Sequence, residues 1–263
     1  MTSPEQFETI LCEEDGPIFT ITLNRPDHGN MFNTTMLREI YAALELSRRE
    51  TRTRVVVITG AGDRYFCIGG EKTDLEDSFG YPGFLPVVDV YAQIERHPKP
   101  VIAAVNGYAV GGGHVLQVVC DLSIARDSAV FRQVGPAMGS YDAGYGTWGL
   151  EDLVGRKRAK EMWFLNEKIT AARALEMGLI NRVVPDDTFA EEVRRYALDV
   201  ADRGSHALRA VKASFAARTG GVESLSRIAT EMLMPFYLRT AESAELGASF
   251  REKRPPDTST FNH

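Results

Sequence analysis

The chain has 263 residues, with 30 Lys and Arg against 36 Asp and Glu, and a formal net charge of −6 at pH 7. This acidic balance argues against non-specific binding to nucleic acid or to anionic lipid, because both need a basic surface. Hydrophobic residues make up 44% and charged residues 25% of the chain, which is typical of a globular protein. The sequence therefore predicts a folded, soluble protein without nucleic-acid or membrane partners.

The cysteines indicate a compartment. Cys12, Cys67 and Cys120 form no CxxC pair, and the N-terminus is polar and acidic. An odd number of cysteines without a signal peptide favours reduced thiols and a cytoplasmic protein.

No apolar run approaches the ~18 residues that a membrane-spanning helix needs. The five histidines show no metal-ligand spacing, so the sequence predicts no metal site.

The first half of the chain alternates strand-like and helix-like runs. Strands are predicted at short apolar or alternating runs, and helices where apolar residues recur three and four positions apart. The predicted strands are Phe7–Cys12, Ile18–Leu23, Val55–Ile58, Val101–Val105 and Leu122–Ala125. The predicted helices are Leu37–Arg48, Val87–Arg96 and Gly112–Cys120. This alternation predicts an α/β fold with a largely parallel sheet.

The last third of the chain is predicted to be mainly helical. The helices are Arg158–Asn166, Ala171–Met177, Phe189–Ala201 and Leu208–Ala217. We therefore divide the chain into an α/β body, residues 1–200, and a helical region, residues 201–263. A region this small hardly folds alone, so we expect it to pack on the body or on another subunit.

Two glycine-rich segments follow predicted strands. They are Tyr65–Glu71 (YFCIGGE) and Val105–His114 (VNGYAVGGGH). Glycine lets the backbone turn sharply, and a helix N-terminus leaves N–H groups unpaired. Two such loops can aim one N–H each at a single oxygen and form an oxyanion hole. Neither segment matches a dinucleotide or nucleoside-triphosphate motif. The alternative is a pair of tight connections without further function.

A third segment, Phe131–Gly146, combines polar side chains with glycines. It carries the hydroxyl of Ser140 and the carboxylate of Asp142, which is able to accept a proton near a reacting centre. The alternative is a surface turn with a local side-chain hydrogen bond. The G-x-S-x-G motif of serine hydrolases is absent from the sequence.

Together, these segments resemble the crotonase (enoyl-CoA hydratase/isomerase) superfamily. The resemblance covers most of the chain, through Asn24-Arg25-Pro26, Phe66–Gly70, Pro98–Cys120 and Ala174–Pro185. It implies a β-β-α spiral core, a C-terminal helical region that builds trimers or hexamers, and an acyl-CoA thioester substrate. It also implies that Gly70 and Gly112 supply the oxyanion-hole N–H groups.

The resemblance is more specific at two catalytic positions. Hydratases of the family carry two catalytic glutamates, and the matching residues here are Val115 and Gly135. Neither can move a proton, so hydration by the two-glutamate mechanism is not expected. Gly111–Leu116 and Gln133–Asp142 instead resemble 1,4-dihydroxy-2-naphthoyl-CoA synthase and 2-ketocyclohexanecarboxyl-CoA hydrolase. The first family closes a ring by Claisen condensation, and the second opens one by hydrolysis.

This subgroup resemblance assigns roles to individual residues. Ser140 and Asp142 would transfer protons, and Tyr237 would act as a phenol donor in its own or a neighbouring subunit. Some synthases use bound bicarbonate as the base, through contacts that match Gln133, Gly135 and Trp163. The usual Thr of that site is Val134 here, which disfavours bicarbonate and favours the hydrolase. No other cofactor is implied, since CoA is part of the substrate.

CoA is polyanionic, so an acidic protein must supply local cations for its phosphates. By resemblance these are Arg25, Lys72 and Lys253, with Phe250 near the adenine. For each cation the alternative is a solvated surface charge. Glu71, Arg132 and the loop Lys72–Leu85 depart from both families, which leaves the acyl group open.

The leading hypothesis is an enzyme that makes or breaks a C–C bond in a cyclic β-oxo acyl-CoA, with ring-opening hydrolysis favoured. The second hypothesis is ring closure by a naphthoyl-CoA synthase. The third is another activity of the family, or an acyl-CoA-binding subunit that has lost catalysis.

Overall fold

The computed structural model describes residues 7–71, 87–257, 259 and 261. It divides into two compact units, Met1–Leu208 and Arg209–His263. The division falls inside a helix, Ser205–Arg227, a few residues beyond the division at residue 200 that the sequence suggested.

The strands of the first unit form two sheets. In chain order they are β1 (Ile10–Asp15), β2 (Ile18–Leu23), β3 (Val55–Gly60), β4 (Tyr65–Cys67), β5 (Val101–Val105), β6 (Tyr108–Val110), β7 (Leu122–Arg126), β8 (Val130–Arg132), β9 (Ile169–Thr170) and β10 (Arg182–Val184). Among the described residues, six strands make the larger sheet in the order β1-β2-β3-β5-β7-β10. All its neighbours are parallel except β1 and β2. The predicted α/β class and largely parallel sheet are confirmed.

The smaller sheet positions the site. Its described strands have the order β4-β6-β8-β9, and β4, β6 and β8 run parallel. The carboxyl ends of adjacent parallel strands meet at one edge of a sheet. The three segments that the sequence analysis singled out therefore leave this sheet side by side, since they follow Cys67, Val110 and Arg132.

Helices cover the sheets of the first unit. They are α1 (Thr34–Arg49), α2 (Val87–Arg96), α3 (Gly112–Val119), α4 (Gly135–Met138), α5 (Trp148–Val154), α6 (Arg156–Leu165), α7 (Ala171–Glu176) and α8 (Phe189–Ala201), and α9 (Ser205–Arg227) runs on into the second unit. Helix α1 begins after Asn33, whose side-chain oxygen accepts a hydrogen bond from the Met36 N–H at 2.8 Å. This cap satisfies one of the unpaired N–H groups at the helix start. The predicted apolar stripe of α1, which includes Leu37 and Ile40, is fully buried.

Two apolar clusters form the core of the first unit. The larger contains Phe32, Phe66 and Phe131, each no more than 1% exposed. The smaller cluster contains Phe189 of α8 and Val57 of β3, so this helix packs on the larger sheet. Burial of each large apolar side chain contributes about 1.5–3 kcal/mol. The segments around the glycines are thus fixed to a rigid body.

The second unit consists of most of α9, a π-helical turn at Ile228–Leu233, and helices α10 (Met234–Tyr237) and α11 (Ala241–Glu252). Apolar side chains on it are unusually exposed: Phe215, Val222 and Phe250 have exposed fractions of 79%, 82% and 87%. Contiguous exposed apolar surface is typical of interaction sites. Among the described residues, no helix is long and apolar enough to cross a membrane.

Candidate active site

The first glycine segment presents an N–H group by strand geometry. The Phe32 N–H donates to the Gly69 carbonyl at 2.8 Å, and the Glu71 N–H donates to the Phe32 carbonyl at 2.7 Å. Successive backbone groups of an extended segment point to opposite sides. The N–H of Gly70, which lies between those two bonds, therefore points away from the backbone of Phe32.

The second N–H group lies at the start of α3. Gly111 has φ 53° and ψ −125°, a conformation that is practically reserved for glycine. Gly112 then begins the helix, so its N–H has no partner within the helix. The Gly112 nitrogen is 3.2 Å from the point where a Gly69 Cβ would lie. The two glycine segments are therefore in direct contact, as an oxyanion hole requires.

These segments line a cavity of about 790 Å³. Its lining is mostly apolar or glycine and includes Met31, Phe32, Ile68, Gly69, Gly70, Val87, Val110, Gly111, Gly112, Val134, Gly135, Met138 and Gly139. The polar side chains among the described lining residues are Tyr91, Ser140 and Asp142. Asp142 is the one carboxylate in that set. The predicted residues Gly70, Gly112, Gly135, Ser140 and Asp142 thus share one cavity.

Asp142 lies in the loop between α4 and α5, beside apolar groups. Its Cβ is 3.0 Å from the point where a Gly146 Cβ would lie, and Val115 Cγ2 is equally close to that point. Burial raises the pKa of the Asp142 carboxyl above its ordinary value of 3.8. A carboxylate of this kind is a stronger base than an exposed aspartate.

The two positions that match hydratase glutamates are closed to a side chain with that role. Val115 is fully buried in the larger apolar cluster. At Gly135 a Cβ would lie 2.6 Å from the Ser140 carbonyl oxygen and 3.1 Å from the Trp163 ring. The Ser140 N–H also donates to the Gly135 carbonyl at 2.8 Å, which closes the turn tightly. The absence of a side chain at Gly135 is therefore what lets the Ser140–Asp142 segment fold back toward the cavity.

Tyr91 is a lining residue that the sequence analysis did not identify. It lies on α2, is 3% exposed, and its hydroxyl donates to the Gly112 carbonyl at 2.7 Å. Burial raises the pKa of Tyr91 well above its ordinary value, and the charge of Asp142 adds to this effect. The sequence signal that could have identified Tyr91 is its place on the buried face of the predicted helix Val87–Arg96.

Gln133 and Trp163 lie behind the cavity lining. The Gln133 side-chain amide donates to Nδ1 of His114 at 2.7 Å, and burial lowers the pKa of His114 to about 3, so the ring is neutral. The Trp163 N–H donates to the Gly146 carbonyl at 2.7 Å. The Trp163 bond holds the loop in place, whereas the side-chain oxygen of Gln133 has no hydrogen-bond partner among the described residues. The binding roles of Gln133 and Trp163 stay predictions.

Arg25 also has protein partners. Its guanidinium pairs with Glu71 at 2.8 Å and donates to the Met31 carbonyl at 2.9 Å. These bonds brace the segment next to Gly70, and CoA binding by Arg25 stays a prediction. Lys72 lies outside the described residues.

Three predicted site residues lie in the second unit. The Tyr237 hydroxyl donates to Glu242 at 3.3 Å. Phe250 is largely exposed, and Lys253 ends α11 in a left-handed conformation, with φ 54°. Their roles toward an acyl-CoA stay predictions.

The fold and the paired glycine N–H groups define a class of protein, and the comparisons agree with it. The family model for enoyl-CoA hydratase/isomerase matches residues 13–260. The chain therefore belongs to this family, the crotonase superfamily of acyl-CoA enzymes.

Solved structures give the same result. An enoyl-CoA hydratase from Bacillus anthracis is 30% identical, with a TM-score of 0.73, and the match covers 95% of this chain and 98% of that one. Enoyl-CoA hydratase subunit I from Geobacillus kaustophilus is 32% identical, with a TM-score of 0.75 over 96% and 98% of the chains. An enoyl-CoA hydratase from Mycobacterium tuberculosis is 29% identical, with a TM-score of 0.70 over 83% and 94%.

Proposed function

We propose that this enzyme opens the ring of a cyclic β-oxo acyl-CoA by hydrolysis of a C–C bond. The observation that carries the proposal is that Asp142, with its raised pKa, is the one carboxylate among the described lining residues of a cavity that also holds Gly70 and Gly112. This arrangement offers one base and one anion-binding position, which is what a retro-Claisen reaction needs.

The reaction has two halves. Asp142 accepts a proton from water, and the resulting hydroxide oxygen forms a bond to the ring carbonyl carbon. The bond between that carbon and the α-carbon then breaks, and its electron pair passes into the thioester as an enolate. The Gly70 and Gly112 N–H groups stabilise the enolate oxygen, and removal of one such donor typically costs ~3–4 kcal/mol. Protonation of the α-carbon gives an open-chain carboxylate that keeps its CoA.

Two further side chains have supporting roles in this proposal. Ser140 lines the cavity two residues before Asp142, which suits it to orient the attacking water. Tyr237 polarises the ring carbonyl, either in its own subunit or in a neighbouring one of a trimer or hexamer. The CoA phosphates bind to Arg25, Lys72 and Lys253, with the adenine on Phe250.

Hydration of an enoyl-CoA is disfavoured by the chemistry at Val115 and Gly135, although the similar structures named above are hydratases. Ring closure by a naphthoyl-CoA synthase is the second candidate. It is disfavoured where it depends on bicarbonate, because Val134 stands in place of the usual Thr and has no hydroxyl to offer that anion.

The test is a comparison of three thioesters with one enzyme preparation: 2-ketocyclohexanecarboxyl-CoA, o-succinylbenzoyl-CoA and crotonyl-CoA. We expect only the first to be consumed at a substantial rate, with a product heavier by one water and still bound to CoA. Asp142→Asn should slow this reaction at least about 100-fold, and Asp199→Asn, on the exposed side of α8, should leave its rate unchanged. Formation of the naphthoyl product or rapid hydration of crotonyl-CoA would contradict the proposal.

A further inference from the structure

The start of α3 has no side chains of its own to hold it. Gly111, Gly112 and Gly113 follow one another, and Gly111 has φ 53° and ψ −125°. A glycine backbone has access to more conformations than that of any other residue. The direction in which the Gly112 N–H points therefore depends on contacts that come from outside α3.

Tyr91 of α2 makes such a contact with Gly112. Its hydroxyl donates to the Gly112 carbonyl, with 2.7 Å between the two oxygens, and lies 3.2 Å from the point where a Gly112 Cβ would be. Tyr91 is almost fully buried, and a hydrogen bond is stronger in such surroundings than in water. Gly112 is thus held by a hydrogen bond and by close packing from the same side chain.

Packing alone does not need this hydroxyl. Val90 and Ile94 give the buried face of α2 aliphatic side chains, and a phenylalanine at position 91 would fill nearly the same volume as Tyr91. Gly112 begins α3, so its carbonyl is also placed to accept the ordinary helical bond. The bond from Tyr91 is therefore additional to the bond that continues the helix.

The ring of Tyr91 is itself held in place. Tyr145 packs edge-on against it, with 6.0 Å between the ring centroids. The Tyr145 hydroxyl donates to Glu95, which lies on the same helix as Tyr91, at 3.2 Å. Because the ring is fixed, its hydroxyl fixes the Gly112 carbonyl. Tyr145→Phe removes a neighbouring phenol hydroxyl and keeps the ring that packs on Tyr91, so it is a matched control.

We propose that Tyr91 is a positioning residue, whose bond to the Gly112 carbonyl fixes the direction of the Gly112 N–H toward the thioester oxygen. This role rests on the proposed function, in which Gly70 and Gly112 form the oxyanion hole. The N–H and the carbonyl of Gly112 flank one Cα, so a bond that holds the carbonyl limits rotation of the backbone on both sides. Tyr91 acts through Gly112 and keeps its proton throughout.

The experiment is infrared spectroscopy of bound butyryl-CoA that carries ¹³C in its thioester carbonyl. A carbonyl that accepts hydrogen bonds absorbs at lower frequency, and this thioester has no ring to open. We expect a shift to lower frequency on binding to the wild-type enzyme. Tyr91→Phe should lose about half of this shift, because Gly112 supplies one of two donors. The Kd for butyryl-CoA should not change, and Tyr145→Phe should show the full shift.

Kinetics and a conservative replacement complete the test. Tyr91→Phe should lower kcat for ring opening of 2-ketocyclohexanecarboxyl-CoA by about 10–100-fold, less than the loss of a whole donor, with KM unchanged. Replacement of Tyr91 by 3-fluorotyrosine keeps the hydroxyl, so it should retain the wild-type infrared shift and kcat.

Four results would overturn the role of Tyr91. They are no shift in the wild-type enzyme, a full shift in Tyr91→Phe, an equal loss in Tyr145→Phe, and a loss in the 3-fluorotyrosine protein. Ring opening is scored separately from the infrared shift. A shift that depends on the Tyr91 hydroxyl, without any ring opening, would reject the proposed hydrolysis and leave the positioning role in place.

Discussion

Gly113 packs directly on the backbone of Cys67: a Cβ at Gly113 would lie 2.1 Å from the Cys67 carbonyl oxygen. This contact sets the start of α3 against the end of β4, and so brings Gly112 to the segment that holds Gly70. The geometry of the proposed oxyanion hole is therefore determined by a residue that supplies neither of its N–H groups.

Gly113→Ala tests this contact. Because backbone must shift to admit the methyl group, we expect the free energy of unfolding to fall by about 1–3 kcal/mol, as in other overpacked cores. The loss of turnover should exceed the loss of folded protein, because any shift of α3 also moves Gly112. Chemical denaturation and kcat measured on the folded fraction separate the two effects. Gly204→Ala, where a Cβ meets its nearest neighbour at 3.9 Å, is the control; equal effects of both changes would contradict the account.

Asp142→Asn removes the proposed base with little change in shape. We expect kcat for ring opening to fall by about 10²–10⁴-fold, because an amide cannot accept the proton of water. KM should change little, since the proposed oxyanion hole and the proposed CoA contacts remain. Steady-state kinetics beside the Asp199→Asn variant check this. A KM effect without a kcat effect would assign Asp142 to binding.

The raised pKa of Asp142 predicts a pH dependence of activity. The carboxylate form is the base, so kcat/KM should fall as the pH is lowered through the Asp142 pKa. Because burial raises that pKa above 3.8, the loss begins at a higher pH than for an exposed aspartate. A pH–rate profile of the wild-type enzyme measures the inflection. A flat profile down to the acid-unfolding range would argue against this base.

The raised pKa of Asp142 also predicts that its ionised form lowers the stability of the fold. A carboxyl whose pKa is higher in the folded state favours folding most below its unfolded pKa, and this contribution is lost as the pH rises through the folded pKa. The ionised Asp142 therefore destabilises the fold at neutral pH. Asp142→Asn should raise the melting temperature at pH 7, and the difference should shrink below pH 3.8. A lower melting temperature at pH 7 would mean that the carboxylate is stabilised by a partner.

Gly135→Glu places a carboxylate where hydratases of the family have one. We expect no gain of crotonyl-CoA hydration, because a side chain there meets the Ser140 carbonyl and the Trp163 ring. Ring opening should fall at least about tenfold, since displacement of this loop by an ångström misplaces Asp142. Assays with crotonyl-CoA and with 2-ketocyclohexanecarboxyl-CoA measure hydration and ring opening by the variant. Efficient hydration of crotonyl-CoA would show that the loop tolerates a glutamate at position 135.

Most of the larger sheet and the long helices could be predicted from the sequence, although β1 (Ile10–Asp15) begins three residues later than predicted and β10 (Arg182–Val184) was missed. The runs Ile18–Leu23, Val87–Arg96 and Val101–Val105 have the predicted bounds, because apolar pattern and turn residues agree there. The smaller sheet was missed. Its strands, such as Tyr65–Cys67 and Ile169–Thr170, have two or three residues, too few to show an alternating pattern.

The parts of the candidate site that could be predicted are backbone groups of the glycine segments and a carboxylate on a loop. Gly70, Gly112 and Asp142 do line one cavity. The direction of a buried side chain is decided by packing, which no local pattern contains. This is why Tyr91, on the buried face of α2, was missed.

The most direct test of the central claim is ring opening of 2-ketocyclohexanecarboxyl-CoA in water labelled with heavy oxygen. Hydrolysis with Asp142 as the base predicts a product that keeps CoA and carries one labelled oxygen in its new carboxylate, formed at least about 100-fold more slowly by Asp142→Asn. Release of free CoA with label in the acid from which it was cleaved, or no consumption of the thioester, would contradict C–C bond hydrolysis at this site.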